Sequence, residues 1–262
     1  MAQLEIERVT VRFGGLVALD GVELSVERGE FVSVIGPNGA GKTTLFNVIA
    51  GAIRPTSGVV RFEGRPVQGS RPAHMSNLGV RRSFQVARPF ASMTVRENVL
   101  VAAAGKAVLE SPRCLGLRGR DRAMADWVDG IIEEVGLAGS EGRKAAELTM
   151  GELRRLEIAR ALVGRPSLIL LDEPAAGIGT DGLGALAGLI RAVHRKGLTV
   201  MLVEHYVGLA LALSDRIIVL DEGAIIAQGS PEAVRNDERV IAAYLGKEAP
   251  RPLGAIGEGG GR

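Results

Sequence analysis

Hydrophobic and polar positions alternate along the first part of the chain, which predicts short antiparallel strands joined by turns. Apolar side chains recur at every second position over much of residues 4–28, and Gly14-Gly15 and Asp20-Gly21 interrupt the pattern. Such alternation is typical of strands with one buried face. Phe31–Ile35 is instead continuously apolar, as expected of a strand buried on both faces. A turn at residues 55–58 leads into another predicted strand, Val59–Phe62.

The second half of the chain alternates between apolar runs of strand length and stretches with helical spacing. The predicted strands are Leu168–Leu171, Thr199–Val203 and Ile217–Leu220. The predicted helices are about Leu153–Val163, about Leu183–Arg195 and one near Leu209, after an earlier one at about Thr43–Ala50. Strands that alternate with helices predict a parallel sheet covered on both faces.

A change of character between these two parts predicts a subdomain. From about Val95 to Ala146, alanine, leucine and charged residues dominate, and Trp127, Ile131 and Val135 recur at helical spacing. We assign residues 4–246 to one domain, with a helical subdomain at about residues 95–160. Residues 247–262 form a Gly- and Pro-rich tail, which we expect to be disordered.

Composition narrows the classes of protein that the chain can belong to. Among 262 residues, Lys and Arg number 32 against 30 Asp and Glu, with the signs interspersed, so no nucleic-acid partner is expected. The single cysteine, Cys114, excludes an internal disulfide and fits a reducing compartment. No apolar run approaches the roughly 18 residues of a spanning helix, and the first twenty residues do not resemble a signal peptide. We expect a soluble protein that would serve a membrane only by docking.

A glycine-rich segment predicts a phosphate-binding loop. Gly36–Thr43 fits the pattern G-x-x-x-x-G-K-[ST], and it follows a predicted strand and precedes a predicted helix. Glycines let backbone N–H groups turn toward phosphates, and the helix presents its positive end there. Lys42, on a loop expected to face solvent, would reach the β- and γ-phosphates, and the Thr43 hydroxyl would ligate Mg²⁺. The predicted nucleotide-binding residues in this segment are Gly36, Pro37, Asn38, Gly39, Ala40, Gly41, Lys42, Thr43 and Thr44.

Two acidic residues complete the predicted nucleotide site. Leu168–Leu171 is followed by Asp172 and Glu173, so a buried strand delivers both carboxylates to one edge of the sheet. Asp172 can stand beside the metal, and Glu173 can polarise an attacking water. Acidic residues often follow a buried strand simply because the chain reaches the surface there. The phosphate loop in the same chain favours a role in nucleotide chemistry for this pair.

A third segment indicates the class of ATPase. Leu148, Thr149, Met150, Gly151 and Glu152 form a short turn before a predicted helix, which is a second site able to bind an anion. The segment resembles the signature of ATP-binding cassette (ABC) proteins, which in that family contacts the γ-phosphate held by the other subunit. The resemblance covers about residues 4–246, with the motifs in family order.

Three further residues take their expected roles from this resemblance. Phe13 matches the aromatic residue that stacks on adenine, and Gln85 matches the glutamine that senses Mg²⁺ and links the site to the membrane subunit. His205 matches the switch histidine that contacts the γ-phosphate. Taken singly, Phe13 could be a core aromatic, Gln85 a loop residue and His205 a histidine at a strand end.

Within the family, the chain is most similar to the branch of uptake transporters for branched-chain amino acids. The segments that carry this similarity are Arg12–Leu16, Arg82–Gln85, Met93–Val99, Arg154–Arg160, Asp172–Gly177 and Val240–Gly246. Four residues depart from the common family pattern: Met150 stands for glycine, Thr149 for serine, Glu152 for glutamine and Gly179 for aspartate. In that family the position of Gly179 belongs to the loop that joins the two active sites of a cassette pair, and the resemblance does not extend to the aspartate of that loop.

The resemblance implies a fold, a reaction and a set of partners. The fold is α/β, a RecA-like P-loop NTPase core with a mainly parallel sheet, an N-terminal antiparallel β subdomain and a helical subdomain. The reaction is ATP hydrolysis with Mg²⁺, in which Lys42, Glu173 and His205 are catalytic and Thr43, Gln85 and Asp172 serve the metal. The partners are a second cassette, identical or homologous, integral-membrane permease subunits and, indirectly, an extracytoplasmic solute-binding protein. The expected location is peripheral, at the cytoplasmic face of the inner membrane.

Three alternatives remain at this point. A related cassette for urea or another small solute would look similar. A soluble ABC protein acting on ribosomes or DNA would carry two cassettes or a long coiled coil, and neither is visible in residues 44–147 or elsewhere. A P-loop kinase would not need the segment Leu148–Glu152 or His205.

Overall fold

The computed structural model describes residues 2–83, 89–104 and 122–245, which form an antiparallel and a mainly parallel sheet with surrounding helices. The strands are β1 Ala2–Phe13, β2 Leu16–Glu27, β3 Phe31–Ile35, β4 Ser57–Phe62, β5 Arg65–Pro66, β6 Val80–Arg82, β7 Leu168–Asp172, β8 Thr199–Val203, β9 Arg216–Asp221 and β10 Ala224–Gly229. The α-helices are α1 Lys42–Ile49, α2 Pro72–Asn77, α3 Val95–Ala104, α4 Arg122–Glu134, α5 Met150–Leu162, α6 Thr180–His194, α7 Val207–Leu213, α8 Pro231–Arg235 and α9 Glu238–Leu245. A 3₁₀ turn lies at Ala145–Glu147.

The N-terminal sheet is antiparallel, as predicted, but its first two strands are long rather than short. Its order is β2-β1-β4-β5, and β1 and β2 each span 12 residues. The turn at Gly14-Gly15 is confirmed, whereas the predicted turn at Asp20-Gly21 is wrong. That pair lies inside β2, where the register against β1 shifts and Gly21 adopts a φ of 58°. A β-bulge therefore absorbs the glycine without ending the strand.

The central sheet has the order β10-β9-β3-β8-β7-β6, and it is parallel except for its edge strand β10. The prediction of a mainly parallel sheet is confirmed. The edge strand β10 and the helices α8 and α9 were not predicted. Because parallel strands end at the same edge, the residues after β3, β7 and β8 meet in one crevice.

The inner strands β3, β7 and β8 are buried on both faces, which explains why they are continuously apolar. Phe31 packs with the helical part of the chain, in a cluster that includes Val128 and Leu156. Val32 and Val34, which point the other way, pack with the antiparallel sheet and with Phe46 of α1. The crevice at the strand ends thus sits between two packed layers.

In the part of the chain that the structure describes, α3, α4 and α5 fall within residues 95–162, where the sequence predicts a helical subdomain at about residues 95–160. Residues 105–121, which include Cys114, lie outside the described residues. Helix α5 begins at Met150, three residues before the predicted start at Leu153. Thr149 accepts a hydrogen bond from the Glu152 N–H and the Glu152 carboxylate accepts one from the Thr149 N–H, so a capping box starts the helix earlier.

Helix α6 offers a test of packing, because it contains three glycines with different surroundings. A Cβ on Gly184 or Gly188 would have no atom within 4 Å, whereas one on Gly182 would lie 2.5 Å from Ile178 Cγ2. Gly184→Ala and Gly188→Ala should each stabilise the protein by about 0.5–1 kcal/mol, since alanine loses less backbone entropy in a helix. Thermal unfolding should show each melting temperature raised, and the control Gly182→Ala should show no gain. Equal gains at Gly182 and Gly184 would contradict this packing.

The described residues contain no helix that is both long enough and apolar enough to cross a membrane. The tail at residues 247–262 lies outside the described residues. The boundaries of the domain, its subdomain and the tail, which were assigned from the sequence, stay a prediction.

Candidate functional site

The predicted phosphate loop connects the end of β3 to the start of α1. Two of its glycines are required by close approach of backbone: a Cβ on Gly36 would lie 2.0 Å from the Leu220 carbonyl oxygen, and one on Gly41 would lie 2.6 Å from that of Ala18. Gly41 also begins α1 with a φ of 100° and no side-chain cap. The first N–H groups of α1 are therefore free of side-chain capping, and a helix N-terminus of this kind binds anions.

Lys42 is buried, which corrects the expectation that it faces solvent. Its side chain enters the curl of the loop, where Nζ donates hydrogen bonds to the carbonyl oxygens of Gly36 and Pro37 at 2.6 and 2.8 Å. Burial lowers the pKa of Lys42, and the nearby carboxylates of Glu173 and Asp172 oppose that shift. The Lys42 amine therefore lies inside the loop, close to both carboxylates, rather than on its outer surface.

Asp172 is the last residue of β7, as predicted, and its side chain is fully buried. Its Oδ2 accepts a hydrogen bond from the Arg82 guanidinium at 2.5 Å. Its Oδ1 is buried and has no hydrogen-bond partner in the protein. A buried carboxylate oxygen without a partner is costly, and such an atom suits a ligand or metal-bound water.

The residues present fit a magnesium ion bound together with a nucleotide. Among the described residues, no group of three or more His, Cys, Asp or Glu side chains could hold a metal by itself. Mg²⁺ commonly takes one or two protein oxygens and completes its shell with phosphate oxygens and water. The exposed Thr43 hydroxyl and the unpartnered Asp172 Oδ1 supply oxygens of that kind.

Glu173 is held in an unusual backbone conformation. Its φ is 48°, in the left-handed region that non-glycine residues seldom adopt, at a strain of order 1 kcal/mol. Its N–H donates to the Val203 carbonyl, which fixes the turn against β8. The side chain is mostly buried, and Oε1 lies 2.7 Å from Nε2 of the half-exposed His205. The strained turn thus aims this carboxylate toward the phosphate loop and the histidine.

One cleft of about 400 Å³ brings most of the predicted nucleotide residues together. Phe13 lies at its rim with half of its surface exposed. The residues that line the cleft are Phe13, Leu16, Val17, Ala18, Asn38, Gly39, Ala40, Gly41, Lys42, Thr43, Thr44, Glu173 and His205. An exposed aromatic ring, an anion-binding loop and a carboxylate–histidine pair can bind a nucleotide and act on its last phosphate.

The segment Leu148–Glu152 does not line this cleft. Leu148 is buried in the core, Thr149 caps α5, and Met150, Gly151 and Glu152 form the first turn of that helix rather than a turn before it. Arg143, which sequence reasoning missed, donates to Glu152 Oε1 at 2.6 Å. The Thr149 N–H and the Arg143 guanidinium hold the pKa of Glu152 below its usual value. The negative charge of Glu152, which replaces the glutamine of the family pattern, is therefore offset by Arg143 of the same chain.

Two buried charged residues brace the loop after Glu173, and neither was predicted to act there. The Arg154 guanidinium donates to the Ala176 carbonyl at 3.2 Å, and it also pairs with Glu157 at 3.0 Å. Glu204 accepts hydrogen bonds from the N–H groups of Ala175 at 2.8 Å and Tyr206 at 3.4 Å. Burial raises the pKa of Glu204. The position of Glu204 next to His205 was a signal that the sequence offered. Its contact with Ala175, which lies on another loop, could not be read from the sequence.

Two predicted elements remain to be located. Gly179 is the N-cap of α6, with φ −68° and ψ 163°, so its conformation is open to any residue and the aspartate of the family pattern is not excluded by space. Gln85 lies outside the described residues, as do its neighbours at 84 and 86–88. The sheet leads toward it through β6, which ends at Arg82 beside Asp172.

The fold and this cleft define a P-loop nucleotide-binding protein of the α/β class. Residues 19–176 match the family model described as ABC transporter, and residues 224–250 match that of the branched-chain amino acid ATP-binding cassette transporter. The chain belongs to the ABC transporter family, as one of its ATP-binding cassettes. ATP hydrolysis is the activity of such cassettes.

Similar proteins cover nearly the whole chain. The high-affinity branched-chain amino acid transport ATP-binding protein BraF of Pseudomonas aeruginosa is 43% identical over 253 residues, covering 93% of this chain and 98% of its own. A solved ATP-binding cassette of an ABC transporter in its ADP conformation has a TM-score of 0.84 at 34% identity, covering 94% of this chain and 100% of its own. A dimeric cassette with ADP and Pi has a TM-score of 0.72 at 25% identity, covering 87% and 98%.

Proposed function

We propose that this chain is the ATP-hydrolysing subunit of an ABC importer that takes up branched-chain or similar amino acids through separate permease subunits. The observation that carries the ATPase role is the cleft in which the phosphate loop faces the Glu173–His205 pair. The match of residues 224–250 to the branched-chain family model and the similarity to BraF support the cargo.

The residues of the cleft suit phosphoryl transfer to water, which depends on positioning and charge stabilisation. Adenine stacks on Phe13, and the phosphates lie on the loop, where Lys42 and backbone N–H groups offset their charge. Glu173 accepts a hydrogen bond from the attacking water and orients it toward the γ-phosphate, while His205 braces that phosphate. Thr43 and Asp172 would hold Mg²⁺, which would supply positive charge to offset that of the phosphates, and Gln85 would sense it.

A second cassette, identical or homologous, completes each site. Residues Leu148–Glu152 lie away from this chain's own cleft, which supports their use on a nucleotide held by the partner. The dimeric cassette with ADP and Pi is a related assembly. Contacts to ATP from both chains exist only in the closed pair, so ATP binding favours closure and hydrolysis releases it. The hydrogen bond from Arg154 of α5 to the Ala176 carbonyl would pass this change to the helical subdomain.

The permease would dock near Phe90, at the cytoplasmic face of the inner membrane, with a solute-binding protein acting on its other side. The Phe90 ring is 45% exposed, yet its backbone is fixed, because its N–H and carbonyl both bond to the buried Asn98 side chain. The Arg160 guanidinium lies 5.4 Å from the ring centroid. A rigidly presented aromatic side chain is a typical anchor for a partner's groove.

Uptake measurements test the cargo and the docking surface together. Deleting the gene should abolish high-affinity uptake of leucine, isoleucine and valine. Phe90→Asp should leave ATP binding intact but uncouple ATP hydrolysis from uptake, because a carboxylate replaces the anchor. The new carboxylate of Phe90→Asp could also pair with Arg160. Phe90→Ala removes the ring without adding that charge, so it shows the effect of losing the ring alone. Ile241→Asp is the matched control, since Ile241 is equally exposed on α9, which packs on the edge strand β10.

Two outcomes would contradict parts of this proposal. Normal uptake of all three amino acids in the deletion strain, with loss of urea or another solute, would exclude the cargo and leave the transporter role intact. Coupled transport by Phe90→Asp and Phe90→Ala would exclude Phe90 as the anchor.

A further inference from the structure

Arg82 occupies a central position between three elements of the nucleotide site. It is the last residue of β6, and one of its guanidinium nitrogens, Nη2, donates to Asp172 Oδ2 on β7 at 2.5 Å. The other, Nη1, donates to Asn47 Oδ1 on α1 at 2.5 Å. The guanidinium carbon also lies 6.0 Å from the ring centroid of Phe46, on the same helix. Arg82 therefore ties the helix of the phosphate loop to the strand that ends in Asp172.

The two oxygens of the buried Asp172 carboxylate have different surroundings, because Arg82 contacts only one of them. The Asp172 side chain is 0% exposed and that of Arg82 is 15% exposed, so the pair is shielded from water. Oδ2 is engaged by Arg82, while Oδ1 has no protein partner. A planar guanidinium held at both nitrogens restricts rotation of the carboxylate, which a flexible ammonium at one point does not.

We propose that Arg82 is a positioning residue that fixes the Asp172 carboxylate so that Oδ1 faces the metal of the nucleotide site. The inference rests on the proposed metal role of Asp172 and adds to it the residue that sets its orientation. Residues that orient a metal ligand in this way typically change metal affinity by 10–100-fold when they are altered. Asn47 acts one step further out, by holding the other half of the guanidinium.

The test is the magnesium dependence of nucleotide binding by the full-length protein. Arg82→Lys keeps the charge but loses the two-point hold. A fluorescent ATP analogue, titrated across Mg²⁺ concentrations, should show half-saturation at about tenfold or more higher Mg²⁺. Its affinity in EDTA should be unchanged. Asn47→Ala should shift the same curve in the same direction. Arg81→Lys is the control, because that side chain passes over Gly164 and no carboxylate contacts it through a hydrogen bond or ion pair in the described residues.

The outcomes separate this inference from the assignment on which it rests. If Asp172→Asn leaves the magnesium dependence unchanged, the metal role of Asp172 and the inference both fail. If Asp172→Asn shifts the dependence and a folded Arg82→Lys protein does not, only the role of Arg82 is overturned. Should Arg82→Lys fail to fold, Asn47→Ala decides: an unshifted magnesium curve overturns the inference, and a shifted one supports it.

Discussion

Glu173→Gln is expected to bind ATP normally, lose about 10²–10⁴-fold in turnover and accumulate as a closed dimer with ATP. The amide keeps the shape of the side chain, which lies 2.7 Å from His205, but it is a poor proton acceptor for the attacking water. Steady-state ATPase assays measure the loss, and size-exclusion elution with ATP measures the dimer. If the partner cassette is a homologue, the two chains are mixed before elution.

Glu63→Gln is the control for Glu173→Gln, because it removes a carboxylate from a residue with the same unusual backbone conformation but outside the cleft. Glu63 has nearly the same φ, 49°, and its side chain is solvent-accessible and pairs with Arg28 at 2.5 Å. Glu63→Gln should therefore hydrolyse ATP like the unmodified protein. Normal turnover in Glu173→Gln, or no ATP-dependent dimer, would remove the role assigned to Glu173.

Lys42→Ala should weaken ATP binding by about 10–100-fold and reduce hydrolysis further, while the fold persists. Hydrogen bonds from a charged group contribute about 1.5–3 kcal/mol, and those to the developing charge on the phosphates act on the rate. Because the amine is buried against the Gly36 and Pro37 carbonyls, its removal also leaves those oxygens without their donor, and a modest fall in melting temperature is expected. Binding of a fluorescent ATP analogue, ATPase rate and thermal unfolding are the three measurements.

Lys196→Ala is the matched control for Lys42→Ala. Lys196 is an exposed lysine paired with Glu134 at 2.8 Å, so its loss should alter neither nucleotide binding nor turnover. Near-normal ATPase activity in a folded Lys42→Ala protein would contradict the phosphate-loop assignment.

Sequence patterns predicted the parts of the site that depend on neighbouring residues. The strand, glycine-rich loop and helix around Lys42 are local, and α1 lies within one residue of its predicted bounds. The start of α5 was misplaced because Met150 and Gly151 resemble a turn, although Thr149 and Glu152 have the spacing of a capping box. The bulge at Gly21 was mistaken for a turn because a glycine alone does not distinguish the two.

Contacts between residues far apart in the chain could not be predicted from the sequence. Arg82 meets Asp172 across 90 positions, and Glu204 meets Ala175 across 29. Such pairs depend on which strands become neighbours, and single-sequence patterns do not give that order. The burial of Lys42 was missed for a different reason, because its partners are only five and six positions away but the loop's sequence pattern does not show that the backbone curls around the amine.

The left-handed backbone at Glu173 matters for any effort to engineer a more robust form of this protein. Glycine would adopt a φ of 48° without strain, so a screen that rewards only a high melting temperature would favour glycine at this position. The variants it enriched would be sturdier and inactive, because the carboxylate would be gone. Directed evolution of this cassette therefore has to select for turnover and heat resistance in the same round.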